Sequence, residues 1–230
     1  MSIGSVPLTD LAPLAVMLPV LGAAVTFMLV RRPRAQITVT VSALVLTLVL
    51  DALLLAAVWD TGVAAVHLGG WPAPLGISLV VDRLSALMLV VSALITLAVL
   101  LYASAQGLIN RDEGGPVSIF HPTFLILVAG VSNAFLAGDL FNLYVGFEIL
   151  LTSSYVLLTM GGTAQRIRAG ITYVVVSVLS SVVFLIAIAM IYAATGTVNM
   201  ADLAVKLGEL PTDVQMVLHV LLLVLSLIHI

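Results

Sequence analysis

Apolar residues in this chain form long continuous runs separated by short polar clusters, not the alternation of a half-buried strand. Crossing a hydrocarbon core of about 30 Å takes roughly 20 helical residues. Seven runs approach or exceed that length: Leu11–Val30, Ala35–Val58, Leu84–Ala105, Val117–Ala137, Leu140–Met160, Ala169–Thr195 and Val214–Ile230. The last is short and reaches the final residue. The predicted fold is all-α, a polytopic transmembrane helix bundle of about seven helices forming a single domain over residues 1–230. Continuous apolarity disfavours a membrane β-barrel, whose strands alternate.

The linkers differ in character. Asp60–Arg83 holds Gly69, Gly70, Trp71, Pro72, Pro74 and Gly76, then the apolar run Ile77–Val81, too short to span. It reads as an ordered loop with an extended segment lying on the protein. Ala137-Gly138-Asp139 is very short, which makes the fourth and fifth helices close antiparallel neighbours. Thr195–Thr212 is polar and long enough for a short amphipathic helix. Arg111–Pro116 reads as a solvated turn. Pro13, Pro19 and Pro122 predict local irregularity in the first and fourth helices.

Composition sharpens this picture. Apolar residues make up 62% of the 230 and charged residues 8%, against about 25% charged in ordinary soluble domains. So few charges cannot coat a water-soluble surface. Eight basic against 11 acidic residues leave no basic field for nucleic acid. Cysteine is absent, which removes disulfides and thiolate-held metals or clusters. His67, His121, His219 and His229 show no ligand spacing, so neither a metal nor a cofactor is expected. Arg31, Arg32 and Arg34 follow the first run, so it is no cleavable signal. Alternating the loops puts Arg31, Arg32, Arg34, Arg111, Arg166 and Arg168 on one side, with only Arg83 and Lys206 opposite. The positive-inside rule then places the N-terminus outside, in a multi-pass cell (plasma) membrane protein.

Against that background one charge is misplaced. Glu148 lies eight residues into the fifth run, about 12 Å from its start and near the midplane. A carboxylate at that depth is costly and points to an ion or proton pathway. Tyr144, Glu148, Thr152, Tyr155 and Thr159 recur at spacings of four and three, forming one polar stripe. The competing reading is a structural hydrogen bond between helices. Asp51 is placed toward the end of the second run and is read first as an interfacial carboxylate. Asp82 and Arg83 read as a local ion pair or helix-start charges. In the sixth helix Tyr173, Ser177 and Ser181 share a face, with Ser180 beside it. Such small residues usually serve close packing; they line a hydrated path only if that face meets Glu148.

Around Glu148 the sequence becomes specific. Phe135–Gly162 reads FLAGDLFNLYVGFEILLTSSYVLLTMGG. With GGWPAPLGISLVVDRLSALM at Gly69–Met88 and TGTVNMADLAVKL at Thr195–Leu207, it resembles the antiporter-like membrane subunits of Mrp-type multisubunit Na⁺/H⁺ antiporters and respiratory complex I. Within that family the likeness is to the Mrp D subunit. Gly146 departs from the pattern, where many relatives carry a bulky aromatic, and looser packing beside Glu148 is expected there.

The resemblance implies an antiporter-like inverted-repeat fold, of which this chain is the first part. It implies that Glu148 carries protons; the stripe read from the spacing then offers Tyr144, Thr152 and Tyr155 as a polar path. The family pairs this glutamate with a lysine in the seventh helix. Here that helix runs VLHVLLLVLSLIHI, and His229 falls near the lysine's expected position. Either His229 replaces the lysine as a titratable partner, or the chain is an N-terminal fragment; the second reading is preferred. Implied partners are other hydrophobic subunits, H⁺ and Na⁺, and the lipid bilayer. Three functions compete: a cation/proton antiporter subunit, a proton-pumping subunit of an NADH–quinone oxidoreductase or membrane hydrogenase, and a membrane scaffold without an ion path.

Overall fold

The computed structural model describes residues 7–71, 74, 76–106 and 119–228; the turn expected at 111–116 lies outside them. Helices dominate. A 3₁₀ turn, Leu8–Leu11, leads into α1 (Leu14–Met28), and these are followed by α2 (Pro33–Thr61), α3 (Arg83–Ala105), α4 (Phe120–Leu136), α5 (Leu140–Thr159), α6 (Ala164–Thr195), α7 (Met200–Glu209) and α8 (Thr212–Ile228). Among the described residues, five spans are long and apolar enough to cross a membrane: the Leu8–Met28 unit, α2, α3, α5 and α6. The fourth and seventh predicted spans are shorter. α4 has 17 residues, many of them buried, including Leu125, Val128, Ala129 and Leu136. It is enclosed by α1, α3 and α5, so it shows little surface to lipid.

Local chemistry sets the helix ends. Pro33 occupies the first turn of α2, where its missing N–H is no loss, and Gly62 ends that helix at φ 80°. Asp82 and Ser85 form a reciprocal capping box at the start of α3: Ser85 N–H donates to Asp82 Oδ1 (2.6 Å) and Asp82 N–H to Ser85 Oγ (2.8 Å). Arg83 does not pair with Asp82. Its guanidinium donates to Trp59 O at 3.0 Å and lies over the Trp59 ring. Of the two readings, the helix-start role holds for Asp82, and in place of an ion pair Arg83 links to the end of α2. Ala12 closes the 3₁₀ turn and Pro13 takes the N-cap position of α1, which carries Pro19 within it.

The described residues of the loop after α2 include the extended segment that its sequence predicts. Ala64–His67 (β1) and Ser78–Val81 (β2) form an antiparallel hairpin with Ala64 opposite Val81 and His67 opposite Ser78. This two-stranded ribbon is an addition to the all-α expectation. Leu79 and Val81 are buried and join Leu50, Leu54, Val58, Ala86, Leu89 and Leu136 in one core. The hairpin thus plugs one end of the α1–α4 bundle. A second core, around Leu44, Leu100, Phe124 and Leu125, fills the other end, near Arg31, Arg32 and Arg34. A third joins α5 and α6 to α7 and α8 through Leu140, Phe184, Ile188, Ile191, Leu203 and Leu218. α7 is the amphipathic helix expected in the 195–212 linker.

The fourth and fifth helices are close neighbours through two glycines. A methyl group at Gly130 would lie 2.9 Å from Leu150 N, and one at Gly146 would lie 3.1 Å from Ala134 N and from Asn133 Nδ2. Gly146 therefore faces α4 and permits tight packing there. The expectation that it loosens the surroundings of Glu148 is corrected, since residues two apart on a helix point to nearly opposite sides.

Candidate functional site

α5 and α6 lie side by side, and their polar faces meet. Glu148 is half-buried on α5 and accepts a hydrogen bond from Ser181 Oγ of α6. The same hydroxyl lies 3.2 Å from Tyr144 Oη, one turn away on α5. Tyr144 is braced by an edge-to-face contact with Phe184 at 5.8 Å. The condition for a polar path on α6, that its hydroxyl face meet Glu148, is fulfilled at Ser181. Further along, Tyr155 packs edge-to-face on Tyr173 at 5.2 Å, and Tyr173 Oη lies 3.3 Å from Ser154 Oγ. Ser177 is buried on the same α6 face, between the two contacts in sequence.

Thr152 does not join this arrangement; its residue is exposed. The reason lies in helix geometry. Each step of four residues drifts by roughly 40° around the axis. Thr152 therefore sits roughly 80° from Tyr144, at the far edge of the stripe, while Tyr155 returns toward Tyr144. Thr159 donates to its own helix at Tyr155 O, 2.8 Å. His229 lies outside the described residues. Ser181 and Tyr173 replace Thr152 as the polar neighbours on this face. Their place on one stripe of α6 is the available signal in the sequence, but only packing decides which helix that stripe faces.

A second polar cluster fixes the start of α5. Asp139 caps the helix: it is buried and accepts from Asn142 N–H at 2.7 Å and from Ser78 N–H of β2 at 3.4 Å. Gly138 N–H donates to Ser78 O at 2.8 Å. Leu140 N–H donates to Val198 O at 2.9 Å, and Met200 N–H donates to Gly138 O at 3.0 Å. Asn199 Nδ2 closes the knot on Ser78 Oγ at 2.9 Å, while its Oδ1 caps α7 at Ala201 and Asp202. Residues 137–142 are therefore stitched to both β2 and the segment before α7. These are the three stretches that carry the family resemblance. The knot fixes the height of α5, and hence of Glu148, relative to α6.

Asp51 differs from the water-exposed carboxylate that an interfacial reading expects: it is buried at 1% exposure within the α1–α4 half. On α7, Lys206 pairs with Asp202 at 3.0 Å, and this hydrogen bond holds the Asp202 carboxyl below the usual aspartate range. Among the described residues no group of three or more His, Asp or Glu side chains could hold a metal ion.

Comparison with known proteins agrees with this architecture. Residues 137–229 match the family described as NADH:quinone oxidoreductase/Mrp antiporter, transmembrane. The chain is 36% identical over 218 residues to the Na⁺/H⁺ antiporter D subunit of Alkalihalophilus pseudofirmus, covering 94% of this chain and 43% of that protein. Its fold is similar to a chain of the Mrp complex from Dietzia sp. DQ12-45-1b (TM-score 0.76, 30% identity, 88% of this chain and 40% of that one). It is also similar to a chain of the membrane-bound sulfane sulfur reductase, an archaeal respiratory membrane complex (TM-score 0.82, 28% identity, 92% and 43%). The chain thus spans less than half the length of these relatives. Its membrane-spanning helices, its stitched Gly-Asp-Leu-Phe-Asn segment and these matches agree: residues 137–229 form a segment of the NADH:quinone oxidoreductase/Mrp antiporter transmembrane family, in a chain similar over nearly its whole length to an antiporter D subunit.

Proposed function

We propose that this chain is part of the D subunit of a multisubunit Na⁺/H⁺ antiporter, in which Glu148 takes up and releases protons near the middle of the membrane. The observation that carries this reading is the Glu148–Ser181–Tyr144 contact. A carboxyl group at this depth is retained where it serves an ion path or a structural bond. Here it shares one hydroxyl with a phenol, so two further groups able to donate and accept sit beside it. Such a row suits proton exchange better than a single interhelical bond does. The positive-inside distribution supports an external N-terminus in a cell membrane, with the hairpin, the Asp139 knot and α7 facing outward. Other membrane subunits are the expected partners, since the Dietzia structure is that of a complex.

The experiment is ΔpH-driven cation exchange in vesicles holding the complete complex. Glu148→Gln keeps the shape of the side chain but cannot carry a proton, and exchange is expected to fall to background at normal assembly. Full exchange at normal assembly eliminates the proposed role. Ser181→Ala removes one hydrogen bond to the carboxyl, worth about 1.5–3 kcal/mol when the partner is charged. It should slow exchange by roughly ten- to a hundredfold if that bond forms in the rate-limiting state.

A second reading is favoured by the likeness to a respiratory complex: a proton-translocating subunit powered by electron transfer in partner chains. Co-purification with flavin- or iron–sulfur-containing partners decides for it. Co-purification with several small hydrophobic subunits decides for the antiporter.

A further inference from the structure

The α1–α4 half holds an acid that the Glu148 site does not use. α2 carries Gln36, Thr40, Thr47 and Asp51 at spacings of four, seven and four, which places them on one face. All four are buried. Gln36 Nε2 donates to Thr26 O of α1 at 2.9 Å. Thr40 Oγ1 donates to Gln36 O at 2.8 Å and lies 3.1 Å from Nδ1 of His121, buried at the start of α4. Thr47 Oγ1 donates to Ala43 O at 2.9 Å, which leaves its lone pairs able to accept. Only at Asp51 does the pattern break: neither carboxylate oxygen has a hydrogen-bond partner among the described residues.

No countercharge faces it among the described residues. α1 brings no titratable side chain, and the 3₁₀ turn before it brings only the exposed Asp10. α3 brings Arg83, committed to Trp59, and Tyr102 near its far end, bonded to Gln106. α4 brings His121, eleven residues along the α2 face at Thr40. The hairpin brings the exposed His67. An ionised carboxyl sealed among Leu50, Leu54 and neighbouring helices without donor or cation is strongly disfavoured. It is stable there only with something taken from outside. A metal cation asks for several oxygen ligands, and no such acidic group exists among the described residues. A proton asks for one.

We propose that Asp51 is a second proton-exchanging site, separate from Glu148, reached along the polar face of α2 past Thr47. The step is acid–base only. One O–H bond forms at an Asp51 oxygen as one breaks on the water-derived donor, and the reverse step returns the proton with no electron transferred. This site lies within the present chain and stands whether or not Glu148 carries protons.

The test is infrared difference spectroscopy on the complete complex in lipid, exchanged from H₂O to D₂O. A buried protonated carboxyl gives a carbonyl band that shifts on deuteration. We expect such a band in the native protein, its loss in Asp51→Asn, its retention in Glu148→Gln, and a displaced band in Asp51→Glu. Thr47→Val should slow the deuterium shift at least tenfold. An Asp51→Asn spectrum unchanged in this region overturns the proposal. So does an Asp51→Glu spectrum without a displaced band, which keeps the test decisive if the Asn variant fails to assemble. A band that answers to Na⁺ concentration and not to pH assigns the site to a cation and overturns the proton. An unchanged rate in Thr47→Val overturns the route along α2.

Discussion

Asp139 offers the sharpest test of how the fold positions Glu148. Replacing it by Ala removes the acceptor for Asn142 N–H and for Ser78 N–H. Loss of a helix cap costs about 0.5–2 kcal/mol. Leaving the buried Ser78 N–H unpaired adds about 1 kcal/mol, the low end of the usual penalty because that bond is long at 3.4 Å. The expected destabilisation is about 1.5–3 kcal/mol. Asp139→Asn keeps one oxygen for the Asn142 cap but turns its NH2 toward Ser78 N–H, so it loses the charge at the helix start, about 0.3–1 kcal/mol, and the long Ser78 bond, about 1 kcal/mol, while the cap itself survives. Reversible unfolding in mixed micelles measures both, with Trp59 before the hairpin and Trp71 between its strands as intrinsic reporters. Asn199→Ala then closes a double-mutant cycle, because Asp139 and Asn199 both hold Ser78. Coupling of at least about 0.5 kcal/mol is expected between them. The knot is refuted as a mechanical unit if the two losses simply add. It is refuted as a cap if Asp139→Asn is as damaging as Asp139→Ala.

The remaining predictions concern packing, charge and orientation. Gly130→Ala puts a methyl group 2.9 Å from Leu150 N, so α4 and α5 must separate; about 1–3 kcal/mol of stability should be lost in the same unfolding assay. The Asp202 carboxyl, held low by Lys206, should titrate below 3.8 by NMR. Its contribution is fully present above that unfolded value and disappears as pH falls through the lower folded one. Lys206→Met should raise the titration toward the usual range, with the Thr197 hydrogen bond left in place; an unchanged midpoint rejects the pairing in solution. Because the sequence has no cysteine, single substitutions give clean labelling. Thr61→Cys and Thr163→Cys are both exposed, at opposite ends of their helices. An impermeant thiol reagent added outside should reach the first and not the second; the reverse pattern inverts the proposed orientation.

Much of this architecture is legible in the chain. Apolar runs, Gly and Pro punctuation and the capping residues locate the helices, because those signals act within a few residues. The short amphipathic helix and the close approach of α4 and α5 follow from linker length and character. Glu148 stands out because a lone carboxyl in an apolar run is visible without any contact information. Thr152 misleads because a spacing of four drifts around the helix. Asp51 misleads because hydropathy alone does not separate the end of a long helix from a wall of packed neighbours. The hairpin is legible only as an extended segment, since its partner strand lies eleven residues upstream across a glycine-rich turn.

The membrane setting, the helices and the identity of the isolated acid are all dictated by the chain's own residues. Few charges and long apolar runs leave no other solvent for it. What the acid touches is settled only by packing. Ser181 reaches Glu148 because the Asp139 knot sets the height of α5 against α6, and that knot joins residues 61 and 121 positions apart. Packing also seals Asp51 from water, since burial is a property of four packed elements and not of one run. Local periodicity encodes a face; which neighbour meets that face depends on contacts between segments distant in the chain.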